Sequence, residues 1–209
     1  MELSADSDGA GALAPNIAPP AKKPPHERIV DVARELFCRD GIHATGIDRI
    51  LAEAGASKMT LYARFGSKEA LLREVLRAEG ADWREAFFAA VMDSAPEAQG
   101  RLEALVGALA GWFRGGRFYG CAFMNAAAEH TKGQPWLRAL AADHHRMILD
   151  TLDRLATEAG YTEPAMLARQ LLLLIDGIIA ALMVSGDAAV LDVGARNLRA
   201  ILGAERAGS

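Results

Sequence analysis

Between residues 25 and 76, apolar side chains recur three and four positions apart, and residues that start or stop helices interrupt them at very short intervals. Ile29, Ala33, Leu36 and Phe37 define a helix over 25–40, which Gly41 is placed to close in the left-handed conformation. Thr45 reads as the N-cap of a second helix whose apolar face is Ile47, Ile50, Leu51 and Ala54, with Asp48 at its positive end and Gly55 as its stop. Ser57 caps a third helix through Phe65, with Leu61 and Phe65 facing inward. Ser67 caps a fourth, whose Leu71, Leu72, Val75 and Leu76 are buried and which runs past Trp83 to Phe88. Two short helices joined by one tight glycine turn make a helix-turn-helix.

The rest of the chain continues in helices. Ser94 and Glu97 read as a capping box before a helix ending near Gly115, and Gly120 precedes a helix over 121–131. Pro135 starts another that stops at Gly160, Thr162 with Pro164 opens the most apolar one, which ends at Gly186, and Asp187 caps a last one ending near Gly203. That is nine helices and no strand, an all-α fold without a repeat of fixed period. The 42 alanines and the near absence of alternating β-branched stretches exclude a β sandwich or barrel. With 209 residues the chain buries a core without staples. Its two cysteines, Cys38 and Cys121, are too few for a disulfide framework or a thiolate zinc site and fit a reducing compartment, the cytoplasm.

Five of the eight prolines lie in residues 15–25, so residues 1–24 are expected to be a disordered arm. The acidic start of the chain does not read as a secretion signal. Leu171 to Val184 is interrupted by Asp176 and Gly177 and falls short of the roughly 20 apolar residues of a membrane span, which points to a buried helix and no membrane partner.

The formal net charge of −4 hides its distribution: residues 25–80 are neutral, but residues 56–68 carry Lys58, Arg64 and Lys68 and no acid. Positive charge concentrated on one short element suits local neutralisation of phosphates. Thr45, Thr60 and Tyr62 supply hydroxyl donors, and Lys68 stands at a helix N-terminus, itself favourable to phosphate. Lys58, Met59 and Ala63 project from the second helix of the motif, the one that enters the major groove, and the last two suit apolar contact with thymine methyls. Ser57 completes the candidate DNA-binding set with these seven residues and Arg64.

The stretch Arg28 to Leu72 contains LF at 36–37, Gly41, T-x-I at 45–47, A-G-x-S-K-x-T-L-Y at 54–62 and F-G-S-K-E-A-L-L at 65–72. It resembles the N-terminal domain of the TetR (tetracycline repressor-like) family of transcriptional regulators, and GCAFMNAAAE at 120–129 is similar to a further segment of that family. The resemblance implies a homodimeric, ligand-responsive repressor of double-stranded operator DNA, with a helix-turn-helix domain over 25–70 and an effector-binding and dimerisation domain over 71–209. The sequence has no nucleophile–base pair, metal cluster or phosphate-cradling glycine loop, so neither an enzyme nor a cofactor is expected, and a helical small-molecule carrier or enzyme without DNA binding is the distant alternative. Arg64, where histidine is frequent in the family, bears on operator choice, and Leu51, where alanine is common, bears on packing between helices.

For an effector, the bulky and polar residues of the second domain are the candidates: Trp83, Phe87, Trp112, Phe113, Cys121, Met124, Asn125, His144, Met147 and Asp176, with Phe88, Phe118, Phe123, Trp136, Glu129 and His130 beside them. Each aromatic serves equally as core packing. Asp176 in an apolar run needs a ligand, a partner across the dimer interface, or the edge of a water-filled cavity. His144 and His145 project about 100° apart on a helix and do not converge on one metal ion. Cys121 at a helix start is either a thiol of lowered pKa, open to oxidants or electrophiles, or a small buried apolar side chain. Of the last two helices, one is apolar around most of its circumference and is not satisfied by its own domain alone, which implies a four-helix bundle made by the two helices and those of a second copy.

Overall fold

The computed structural model describes residues 23–116, 118–129 and 134–207, and among these every regular element is an α-helix. There are ten: α1 (Pro25–Asp40), α2 (Ile47–Ala54), α3 (Lys58–Phe65), α4 (Lys68–Ser94), α5 (Ala98–Glu103), α6 (Leu105–Arg114), α7 (Ala122–Glu129), α8 (Pro135–Glu158), α9 (Pro164–Ser185) and α10 (Ala189–Ala207). The arm expected over residues 1–24 falls almost entirely outside the described residues, as does His130.

The tenth helix arises because the segment expected as one helix up to Gly115 is interrupted at Ala104, whose N–H still bonds to the carbonyls of Gly100 and Arg101. The expected Ser94–Glu97 capping box does not form. Ser94 is the last residue of α4 and its hydroxyl donates to the Val91 carbonyl, while Glu97 precedes α5 without a side-chain cap. Gly41 follows α1 with φ 91° and ψ 159°, a positive-φ turn rather than a left-handed cap.

The N-terminal apolar cluster joins Ile29, Leu36, Ile50, Leu61, Leu71 and Leu72 from α1 to α4 with Phe123 and Ala126 of α7 and Leu137 of α8. A second cluster joins the far half of α4, through Phe87 and Val91, to α5, α6, α8, α9 and α10. Helix α4, with 27 residues and so about 40 Å long, contributes to both. Gly80 on α4 lets it approach α7 and α8 closely, since a Cβ there would lie 2.9 Å from the Phe123 ring and 3.0 Å from His144. Helix α9 has 22 residues and, beginning at Pro164, is long and apolar enough to cross a membrane by length and composition, contrary to the shorter span expected. In the fold it buries Leu167, Leu171, Leu172, Ile175, Ile178, Ile179 and Leu182 against its neighbours.

Candidate nucleic-acid interface and effector cavity

The turn between α2 and α3 is built by local chemistry. Gly55 adopts φ 57° and ψ 45°, its N–H bonds to the Ala52 carbonyl, and the N–H of Ala56 bonds to that of Leu51. Arg28 on α1 collects what remains: Nε donates to the Ala54 carbonyl and Nη2 to that of Gly55, both at 2.9 Å. Sequence reasoning passed over Arg28, because its targets are backbone atoms. Ser57 caps α3 by accepting from the Thr60 N–H at 3.1 Å, and the two hydroxyls share a further hydrogen bond. Only Leu61 of α3 is fully buried, so the helix lies on the core by one edge.

Its outer face carries Lys58, Met59, Tyr62, Ala63 and Arg64, all exposed, with Met59 80% and Tyr62 49% accessible. Lys58 forms an ion pair with Asp48 of α2 at 2.9 Å. Arg64 lies over the Phe65 ring. Two expectations are corrected here. Thr45 is fully buried and its hydroxyl donates to the carbonyls of Gly41 and Leu36, leaving Gly46 at the N-cap of α2 and no hydroxyl for phosphate. Lys68 turns inward, its Nζ donating to the Ile42 carbonyl at 2.6 Å beside the Phe37 ring. Burial lowers the Lys68 ammonium despite the nearby Glu129 carboxylate.

Behind this region, α4, α6, α7, α8 and α9 line a cavity of about 20 Å³, room for about one water molecule, whose walls include Glu79, Trp83, Trp112, Cys121, Phe123, His144, Ile148, Asp176 and Ile179. Trp83, Trp112, Cys121, His144 and Asp176 were expected from sequence, whereas Glu79, Ile148 and Ile179 are recognisable only once the helices are assembled. Phe87 and Phe113 line other clefts, Met147 is 46% exposed, and Met124 and Asn125 lie outside the lining, the Asn125 amide donating to the Tyr119 carbonyl. Glu129 is also absent from the cavity, being drawn to the turn after α1.

Burial, then the Arg84 guanidinium, then His145, push the His144 imidazole down to about 3. Arg84 Nη1 donates to its Nδ1 at 2.6 Å, so the proton of the neutral ring is on Nε2. His144 stacks on Phe123, with ring centroids 4.3 Å apart. His145 instead reaches Asp176, Nε2 to carboxylate 3.4 Å, and burial raises the Asp176 carboxyl although that imidazole opposes it. The indole N–H of Trp83 is buried without an acceptor among the described residues. Glu79 is held by Arg34. Burial raises the Cys121 thiol, and the N–H groups of Met124 and Phe123 do not overcome it, which agrees with the small buried side chain of the two readings the sequence left open.

A family model described as bacterial regulatory proteins, tetR family, matches residues 29–75. Over nearly its whole length the chain is also similar to the crystal structure of a TetR-family transcriptional regulator from Streptomyces coelicolor, with 32% identity, a TM-score of 0.76, and coverage of 85% of this chain and 94% of that one. The protein is a member of the TetR family of transcriptional regulators. Among curated relatives, the HTH-type transcriptional regulator QacR of Staphylococcus aureus is 39% identical over 59 residues, which is 28% of this chain and 31% of the relative. The HTH-type transcriptional regulator UidR of Escherichia coli is 37% identical over 54 residues, 26% of this chain and 28% of the relative. The stretch matched therefore spans about a third of either curated relative.

This TetR-family chain also displays an apolar surface along its last two helices. Leu173 and Val184 of α9 are 75% and 86% exposed, and Val193 of α10 is 54% exposed. Leu173 and Val193 flank a groove that Gly177, Ala181 and Gly194 keep shallow.

Proposed function

We propose that the protein is a cytoplasmic, ligand-responsive repressor that binds a pseudo-palindromic operator as a homodimer and dissociates when a small molecule occupies the cavity behind the motif. The observation that carries this reading is the outer face of α3, where Lys58, Met59, Tyr62, Ala63 and Arg64 stand in solvent on a helix whose opposite edge is fixed in the core. Lys58 and Arg64 would neutralise phosphates, Tyr62 would donate to one, and Met59 and Ala63 would meet base edges. Ser57 and Thr60 would contribute by holding the start of α3. The exposed apolar strip of α9 and α10 fits dimerisation, which would set two recognition helices about 34 Å apart, one turn of B-DNA. Residues 25–70 would form the DNA-binding domain and 71–209 the effector and dimerisation domain.

The lining suits a small apolar molecule bearing a polar group, which would part the helices to enter, since the cavity as it stands has room for about one water molecule. Trp83 and Trp112 supply aromatic walls, the His144 and Trp83 N–H groups are donors, and Asp176 is an acceptor. Release would be a population shift, the effector favouring a dimer whose recognition helices are wrongly placed for DNA. Fluorescence anisotropy against DNA from immediately upstream of the gene, at two salt concentrations, tests the reading. Tight, salt-sensitive binding weakened by Lys58→Ala and Tyr62→Ala is expected, and its absence from every tiled upstream fragment would overturn it.

A further inference from the structure

The turn joining α1 to α2 is held by side chains from two other helices. Glu129, the last residue of α7, accepts from the backbone N–H of Ile42 at 3.0 Å and of His43 at 2.9 Å, one bond to each carboxylate oxygen. Lys68, the first residue of α4, donates to the Ile42 carbonyl of the same turn. The fit is close, since a Cβ on Gly41 would lie 3.2 Å from the Glu129 carboxylate. Burial alone would raise the Glu129 carboxyl, but the two N–H groups and His43 hold it below the ordinary range, so at neutral pH it is a full anion.

Helix α7 has only 8 residues, about 12 Å, and its other end is the cavity wall. Ala122 and Phe123 line the cavity, Phe123 stacks on His144, and Ala126 one turn later is fully buried. A helix this short, packed at both ends, would move as a unit, so a displacement of Phe123 at the cavity would reach Glu129 at the turn from which α2 and α3 follow.

We propose that Glu129 is the positioning residue through which occupancy of the cavity alters the DNA-binding helices. The inference rests on the ligand-responsive reading above for its biological use, but the mechanical link is testable without an effector. Gly80→Ala serves as the probe: its new methyl presses on Phe123 and on the His144 ring stacked against it from within the protein, and alanine is the better helix former, so loss of helix propensity does not confound it. Amide hydrogen exchange at Ile42 and His43, read by NMR in the full chain, is compared for wild type, Gly80→Ala, Glu129→Ala and the double variant, with anisotropy on operator DNA alongside. Glu129→Gln, which keeps one acceptor, gives an intermediate case should Glu129→Ala fold poorly.

Glu129→Ala should accelerate exchange at Ile42 and His43 by tenfold or more. Gly80→Ala should accelerate the same two amides, and the double variant should exchange no faster than Glu129→Ala, because the link is already cut. Operator affinity should follow the same non-additive pattern. Fully additive effects, or a Gly80→Ala that leaves both amides at the wild-type rate, would overturn the proposal. The ligand-responsive reading fails separately, through a small-molecule panel that changes neither tryptophan emission nor operator affinity while these four proteins still show the link.

Discussion

At the residue scale, burial decides what three side chains can do. His144 titrates at about 3 in the fold, below its ordinary 6.5, so as pH falls the unfolded chain takes up a proton before the folded one does. Stability is therefore unaffected above about pH 7 and declines below pH 6.5, by at most about 1.4 kcal/mol per pH unit from this group. Between pH 6.5 and 5, urea titrations should show wild type losing about 1–2 kcal/mol more than His144→Gln. Equal losses would show that His144 is protonated in the fold. Cys121 is governed by the same physics: its raised thiol makes thiolate scarce at neutral pH. In a Cys38→Ser background, iodoacetamide should label the folded protein at least tenfold more slowly than the urea-unfolded chain, with the rate climbing as pH rises. Faster labelling in the fold would restore Cys121 as a candidate sensor. Thr45 illustrates why such residues are ambiguous in a sequence: a threonine at a helix start offers a hydroxyl to phosphate or to the chain's own carbonyls, and only its complete burial decides for the latter.

At the element scale, the legible features are those made by neighbours in sequence. The bounds of α1, the caps Ser57 and Ser67, and the left-handed Gly55 and Gly186 all follow from residues within one turn of where they act. The break at Ala104 had no such mark, since alanine continues a helix as well as any residue, and the cavity mixes five helices whose mutual placement is not a local property. The basic character of α3 was likewise only half visible. Lys58 is shared with Asp48 and Lys68 points inward, so the charge presented to solvent is smaller than the sequence count of three. Asp48→Asn should free Lys58, tightening operator binding several-fold at low salt and steepening the log–log salt dependence by roughly one ion. Adding Lys58→Ala should abolish the gain. A gain that survives without Lys58 would place the effect elsewhere on α2.

At the scale of the whole molecule, the apolar strip on α9 and α10 is the largest feature that a single copy leaves unexplained. Leu173, Val184 and Val193 are side chains that ordinarily leave water, and Leu173 and Val193 line a groove floored by glycine and alanine, where another helix can approach closely. Burying each such side chain is worth about 1.5–3 kcal/mol, and a symmetric contact repeats the strip twice, a gain set against roughly 4–15 kcal/mol of freedom lost on association. Leu173→Glu puts two charges into that contact yet costs an isolated subunit little, because Leu173 is already 75% exposed. Sedimentation velocity should then show a species of about 22 kDa with unchanged helical circular dichroism, against a doubled mass for wild type. Operator affinity should fall more than tenfold in the same variant, since a single recognition helix loses the second half-site and the effective concentration that comes with it. A Leu173→Glu protein that stays dimeric would move the interface off this strip. One that becomes monomeric yet keeps its operator affinity would break the connection between dimerisation and DNA reading on which the repressor mechanism depends.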